Sequence, residues 1–337
     1  MTALTGSRHR GHRLRNAPAL LAIAAGPLLP IAAPSAEPFL TRNQNPLLAL
    51  YGLPSPLPAR LPEAGRWRSA GVVNWSNSAS IETSGSSTFT MDAEVFEFRL
   101  HLERAMSPGL ALRTELPWRR VSAGSLDSFI ENWHDWFGLP DGSRSQLRRD
   151  DLRIEYAVAG ATQLLVDERS SGLGDIPLAA GYQLHASGKH ALATWLTVKL
   201  PVGDAGELTG SGAVDVALSL AYQARPADRW ELFGQLNGVW LGEGDLLPEL
   251  QGDAAWSALA GVTWNPWRRL DLTAQLEASS RVFDVDVEPL SGDALVLTFG
   301  GSYRTAGGWR FDLGISEDVE VDASPDVSFS FAVRRAF

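Results

Sequence analysis

The sequence predicts an all-β protein: a transmembrane, antiparallel, up-and-down β-barrel of about twelve strands. Three observations carry this reading. Stretches of about twelve residues alternate apolar and polar side chains, the period of a strand whose two faces meet different surroundings. The breaks between them alternate short and long, as turns and loops do at the two ends of a membrane barrel. Tryptophans gather at the stretch ends: Trp230, Trp264, Trp267 and Trp309 beside short breaks, and Trp118, Trp240 and Trp256 at the opposite ends. Two belts of amphipathic rings are expected at two membrane surfaces.

Residues 1–36 read as a secretory signal peptide. Arg8, Arg10, Arg13 and Arg15 head the segment without an acid, an apolar run follows, and Ala36 is a small residue at the expected cleavage point. An anchoring helix is the alternative, and Pro27, Pro30 and Pro34 make it the poorer one. Without these residues the formal charge goes from −10 to −14, which points away from nucleic acid as a partner. The chain has no cysteine and so no disulfide staple. Beyond the leader no run reaches about 18 apolar residues, so no helix spans a membrane.

Residues 37–64 are too broken by proline for a strand or a long helix. Two placements are open: a plug threaded into the lumen, with Asn43, Gln44 and Asn45 hydrogen-bonded to the inner wall, or a periplasmic arm.

Residues 65–337 hold the barrel. Strands fall near 66–81, 90–103, 109–121, 175–186, 190–202, 211–224, 229–242, 252–265, 268–282, 292–305, 308–320 and 326–337, an even number, as such barrels have. The stretch at 95–104 shows the pattern: Phe96, Phe98, Leu100 and Leu102 share one face, and Glu97, Arg99, His101 and Glu103 the other. The last stretch puts Val327, Phe329, Phe331, Val333 and Phe337 on one face, which meets lipid in this reading. Longer breaks are expected near 82–90, 122–174, 203–210, 243–251, 283–291 and 318–326. Two further strand-like pieces, 151–158 and 162–168, form a hairpin inside the long extracellular loop 122–174.

The inward register is rich in charge: Glu97, Arg99, Glu103, Arg113, Glu115, Arg119, Lys199, Asp215, Glu231, Asp271, Glu277, Arg304, Arg310 and Asp312. Paired charges filling the lumen and a narrow charge-lined pore are both open readings. Catalytic use of the carboxylates is the remote third. A membrane-face hydrolase would need a nucleophile and a histidine on the lipid-facing wall, but His101 and His185 fall on the inward register and His190 at a turn, and no nucleotide, zinc or nucleophile-elbow motif is present. No cofactor and no metal site are expected.

In the long loop, Ser128 and Glu131 have capping-box spacing and Gly138 offers a helix stop. Phe129, Trp133 and Trp136 would line one face of that helix, with His134 beside them. The helix is a constriction or a ligand platform at the mouth, or else simple packing on the rim. Loops 82–94, 203–210, 243–253, 283–293 and 317–326 carry many acids and no Lys or Arg. They are either solubilising surface or a mouth that concentrates cations, including ions bridging to lipopolysaccharide.

Several segments carry a likeness. "TRNQNPLLALYGLP" (41–54), "FIENWHDWFGLPDGSR" (129–144) and "SSGLGDIPL" (170–178) resemble the outer-membrane family of Gram-negative bacteria catalogued as domain of unknown function 3187. "VKLPVGD" (198–204) and "LTGSGAVDVALSL" (208–220) are similar to a pattern in broader channel-like barrels, some linked to uptake of aromatic compounds. The family likeness implies a fold and a bacterial outer-membrane location and no site residues; the barrel layout, in which the first strand starts and the last ends at the periplasm, puts the N-terminal segment on that side. A terminal strand ending in Phe337 also resembles the signal read by the barrel-assembly machinery. The expected partners are therefore that machinery, outer-membrane lipid, lipopolysaccharide and a small solute. The function so read is passive passage or binding of that solute; a closed barrel with a structural or surface role is the alternative, and an enzyme the least favoured.

Overall fold

The computed structural model describes residues 37–126, 146–149, 151–319 and 323–337. The leader, the loop helix with Phe129, Trp133, His134 and Trp136, and two acids of the last loop, Glu320 and Asp322, lie outside the described residues.

Twelve antiparallel strands close into a barrel. They are β1 (Trp67–Ser84), β2 (Ser87–Ser107), β3 (Leu110–Ser122), β7 (Ile176–Ala186), β8 (His190–Leu200), β9 (Asp215–Ala227), β10 (Trp230–Trp240), β11 (Ala254–Trp267), β12 (Leu270–Ser279), β13 (Ala294–Arg304), β14 (Trp309–Asp318) and β15 (Val327–Ala336). Three short strands complete the set: β4 (Arg153–Val158), β5 (Ala161–Val166) and β6 (Ser170–Leu173). Each barrel strand pairs with its neighbour in sequence, and β15 closes on β1 from Asn77↔Val327 to Arg68↔Ala336. Beyond that ladder, Trp67 and Phe337 exchange backbone hydrogen bonds of 2.8 and 3.0 Å. No barrel edge is left open, the condition for strands in a lipid bilayer.

The alternation in sequence becomes alternation in burial. Along β10, Glu231, Phe233, Gln235, Asn237 and Val239 are buried while Trp230, Leu232, Leu236 and Trp240 are exposed. The buried set faces the lumen and the exposed apolar set faces outward, the reverse of a soluble protein and the pattern of a barrel in lipid. Trp67, Trp230, Trp264, Trp267 and Trp309 are exposed at the short-turn end, and Trp118, Trp240 and Trp256 at the long-loop end. Arg335 lies 4.6 Å from the centre of the Trp309 ring and Arg104 5.2 Å from that of Trp67.

The structure departs from expectation in three places. The break expected at 82–90 is a continued ladder: β1 and β2 stay paired to Ser84↔Ser87 and turn at Gly85 (φ +58°). The projecting part of β2 carries the hairpin β4–β5, paired from Ser87↔Val158 to Asp92↔Arg153. His185 is exposed rather than inward, because the β7–β8 register slips between Gln183 and His185 and turns the end of β7 over. Finally, the wall between β3 and the β6–β7 stretch holds a bulge. Thr114 faces Leu178 and Trp118 faces Leu173, so three residues of β3 oppose four.

Candidate functional site

Residues 37–64 run inside the barrel. The segment carries Pro38, Pro46, Pro54, Pro56, Pro58 and Pro62, and proline has no N–H to give a ladder. Some of the segment's backbone groups bond within it, around residues 42–53, and others are taken singly by side chains of the wall, as buried polar groups need partners. At the short-turn end Arg310 donates to Glu37 O at 3.0 Å and Arg334 to Pro38 O at 2.7 Å. Glu37 also pairs with Arg334 at 3.2 Å and Arg68 at 3.8 Å. Further in, Phe39 N donates to Gln275 Oε1 (3.1 Å) and Asn43 N to Glu277 Oε1 (3.3 Å), while Arg99 and Arg119 hold Leu40 O and Pro46 O (both 2.9 Å).

The chain turns back through a 3-10 turn at Leu48–Leu50. Arg42 ties the two limbs, donating to Ala49 O at 3.0 Å and to Leu53 O at 2.9 Å. Leu47, Leu48, Leu50 and Tyr51 pack with Phe89, Met91, Ile154, Val282, Phe283 and Leu290 in one buried apolar cluster under the long loops. The returning limb gives Gly52 N to Asp215 (2.8 Å), Leu57 N to Gln235 (2.7 Å) and Leu61 N to Gln183 (2.8 Å), and Trp195 Nε1 donates to Pro58 O (3.0 Å). Gly52 is fixed by space, since a Cβ there would stand 2.6 Å from Asp215 Cβ.

Asp175, which the sequence reading did not single out, is the extra residue of the wall bulge. Its Oδ1 accepts from Val202 N (3.0 Å) and Gly203 N (2.9 Å), and its Oδ2 from Ser211 N (3.0 Å) and Lys199 Nζ (2.5 Å). Lys199 also pairs with Asp215 at 3.1 Å and donates to Leu50 O at 3.2 Å. The segments 170–178, 198–204 and 208–220 thus meet at one knot beneath the turn of the lumenal segment.

All fourteen charged residues of the inward register face the lumen. Twelve are buried, and Glu277 and Arg304 are half-buried. On β2 and β3, Arg99 pairs with Glu97 (2.9 Å) and Glu115 (3.5 Å), and Arg113 with Glu115 (3.3 Å) and Glu103 (3.9 Å). His101 is 3.2 Å from Glu115. Elsewhere Arg304 pairs with Asp271 (2.7 Å), Arg225 with Glu231, and Asp312 with Arg310 (2.7 Å) and Arg334 (2.5 Å). Asn43 and Asn45 donate to Ala323 O, while Gln44 turns back to Arg42 O.

A cavity remains between the returning limb, residues 49–57, and the wall of β2, β3, β7 and β8. Arg42, Arg99, Arg113, Arg119 and Lys199 line it, against Glu97, Glu115 and Asp175. Among the described residues no group of three His, Cys, Asp or Glu is placed to hold a metal ion. Among the described residues of the acid-only loops ten acids are exposed, from Asp204 and Glu207 to Glu288 and Asp293, and Asp167 and Glu168 are exposed at the same end. Arg153, Arg169 and Arg281 are exposed there too, outside the acid-only loop ranges.

The family model described as Protein of unknown function (DUF3187) matches residues 27–337. The chain belongs to the DUF3187 family. No curated protein matches this DUF3187 chain. Among solved structures it is similar to the COG4313 outer membrane channel from Pseudomonas putida F1, with a TM-score of 0.57 and 16% identity over 82% of this chain and 97% of that one. At that identity the likeness shows the fold alone, a closed antiparallel β-barrel. The KdgM porin (8% identity, TM-score 0.44, covering 80% and 99%) and the Pseudomonas putida toluene transporter TodX (10%, 0.39, covering 87% and 91%) match more loosely. Scores that low carry no argument about the DUF3187 chain.

Proposed function

We propose that this protein is an outer-membrane channel whose pore is held closed by its own residues 37–64, and that a small solute passes when this segment shifts. In this reading the short turns and the start of the segment lie on the periplasmic side. The observation that carries it is the manner of attachment. The segment joins no ladder; it hangs on single side chains such as Gln183, Gln235 and Gln275, and a cavity is left beside it. Separate hydrogen bonds, each worth about 0.5–1.5 kcal/mol net, exchange more easily than a strand pairing. The apolar cluster around Leu47 and Phe283 favours a second reading, a permanently closed barrel with a structural role.

A disulfide separates the two. The chain has no cysteine, so Leu57→Cys with Gln235→Cys places one defined pair of thiols on the segment and the wall, and Leu61→Cys with Gln183→Cys places a second, each bridged by oxidation or by a short bis-thiol crosslinker cleavable by reductant. In a planar bilayer the bridged proteins are expected to be silent and the reduced ones to conduct. Equal current in both states removes the segment as the gate. Silence of the wild type and of both reduced pairs establishes the closed barrel instead.

A further inference from the structure

We propose that the cavity beside residues 49–57 is a binding site for a small carboxylate-bearing solute with an apolar body. This names the solute class of the channel and rests on that reading for its biological use, though not for its test.

The residues that line the cavity are five cations and three acids, with Asp215 and Glu103 just outside the lining paired to Lys199 and Arg113. Its three acids are all engaged: Glu97 with Arg99, Glu115 with Arg99 and Arg113, and Asp175 with Lys199. Arg42 and Arg119 form no ion pair among the described residues. Arg42 donates to Ala49 O and Leu53 O, and Arg119 to Pro46 O. The hydrogen-bond partners of these two guanidiniums are therefore carbonyls, and Glu97 acts on both only from beyond ion-pair distance. Arginine stays protonated even when buried, and a buried charge without a direct counter-charge is costly.

Unmet hydrogen-bonding capacity points the same way. Arg42 Nε, Arg113 Nε, Arg119 Nε and Thr197 Oγ1 are buried without a partner, and all four residues line the cavity. Orphaned polar groups of this kind are rare in folded proteins. Three are fixed donors, and a solute satisfying them must bring acceptors. A carboxylate brings two oxygens and a negative charge, and it suits the guanidinium fork. Around these groups Leu53, Leu57 and Pro117 supply apolar wall, which an apolar body would cover. A cation would instead meet two guanidiniums that bond to carbonyls and contact no carboxylate directly. The exposed acids of the long loops do not reverse this, because salt screens charges in water over about 8 Å at physiological strength and buried ones much less.

Calorimetry on the purified protein in detergent tests the site without requiring conductance. The probes are benzoate, its neutral analogue benzamide and the cation benzylammonium. Benzoate is expected to bind saturably, with the other two at least about tenfold weaker, the scale of a hydrogen bond to a charged group. Thr197→Val keeps the side-chain shape and removes a hydroxyl that has no partner, so its unfolding midpoint should hold or rise while benzoate affinity falls. Arg119→Gln should lower benzoate affinity by about tenfold or more. Equal binding of benzoate and benzamide overturns the proposal, as does benzoate affinity that Thr197→Val and a folded Arg119→Gln both leave unchanged. If benzoate does not bind while the disulfide pairs still gate conductance, the solute class is wrong and the channel reading survives.

Discussion

The two ends of the lumenal segment are held by different forces. At the long-loop end the turn at Leu47–Tyr51 is packed in hydrocarbon, with the Tyr51 ring edge-on to Phe283 at 5.6 Å between centroids. At the short-turn end Glu37 and Pro38 are held by Arg68, Arg310 and Arg334, with Asp312 completing the network. Apolar packing is insensitive to pH and to moderate salt, whereas a carboxylate–guanidinium contact depends on the carboxylate's charge. The difference teaches which end releases first. A segment that opens a pore without unfolding the barrel is expected to let go at its charged end and keep its apolar turn seated.

The largest effect should come from damaging the packed end. Phe283→Ala removes a fully buried ring that contacts Tyr51. Large-to-small core changes of this type cost about 3–5 kcal/mol. The unfolding midpoint should drop sharply, with protection from hydrogen exchange lost at residues 47–53 and kept at 37–42. Loss of protection at both ends alike would show that the segment is one cooperative unit and erase the comparison.

A smaller effect is expected from the charged end. Arg334→Gln withdraws one guanidinium from Asp312, Glu37 and Pro38 O together. Asp312 keeps Arg310 at 2.7 Å, so the buried carboxylate is not abandoned, and a cost of about 1–3 kcal/mol follows. Exchange should rise at 37–42 with residues 47–53 unmoved, and single-channel openings should become more frequent. Stability loss without local exchange would place Arg334 in barrel closure rather than in holding the segment.

The barrel was legible because a membrane strand states its environment residue by residue. Each outward Leu or Trp and each inward Glu or Arg repeats the same two-residue period, and Trp230–Trp240 reads without ambiguity. The reading failed where that period slips: at Gln183/His185, and at the bulge that turns Asp175 inward between Gly174 and Ile176. It also gave no residue-level account of Glu37, Arg42, Tyr51 and Gly52. A segment whose backbone groups are satisfied by distant side chains has no period of its own. The available signals were indirect: a glycine in "LYGLP", and an aspartate between a glycine and an Ile-Pro pair in "GLGDIP".

The smallest prediction is the most specific to the comparison, since it changes one proton. Burial alone would raise the Glu37 carboxyl, but Arg68, Arg334 and Arg310 outweigh it and hold the group below the ordinary carboxylate range, with Asp312 opposing them. A depressed value in the folded state means a contribution present in full above the unfolded value, about 4.3, and lost as pH falls through the lower folded one. Lowering the pH from neutral to about 3 should therefore loosen residues 37–42, after correction for intrinsic exchange, while residues 47–53 stay protected. The side chain is partly exposed, so the change is under about 1 kcal/mol. Glu37→Gln separates this carboxyl from Asp312, which titrates in the same network. The variant should show the loosened segment already at neutral pH and respond less to acid than the wild type. If it keeps the full acid response, Asp312 or another lumenal carboxylate is the sensor. The charged end would then be held by the wall's own network rather than by the segment's first described residue.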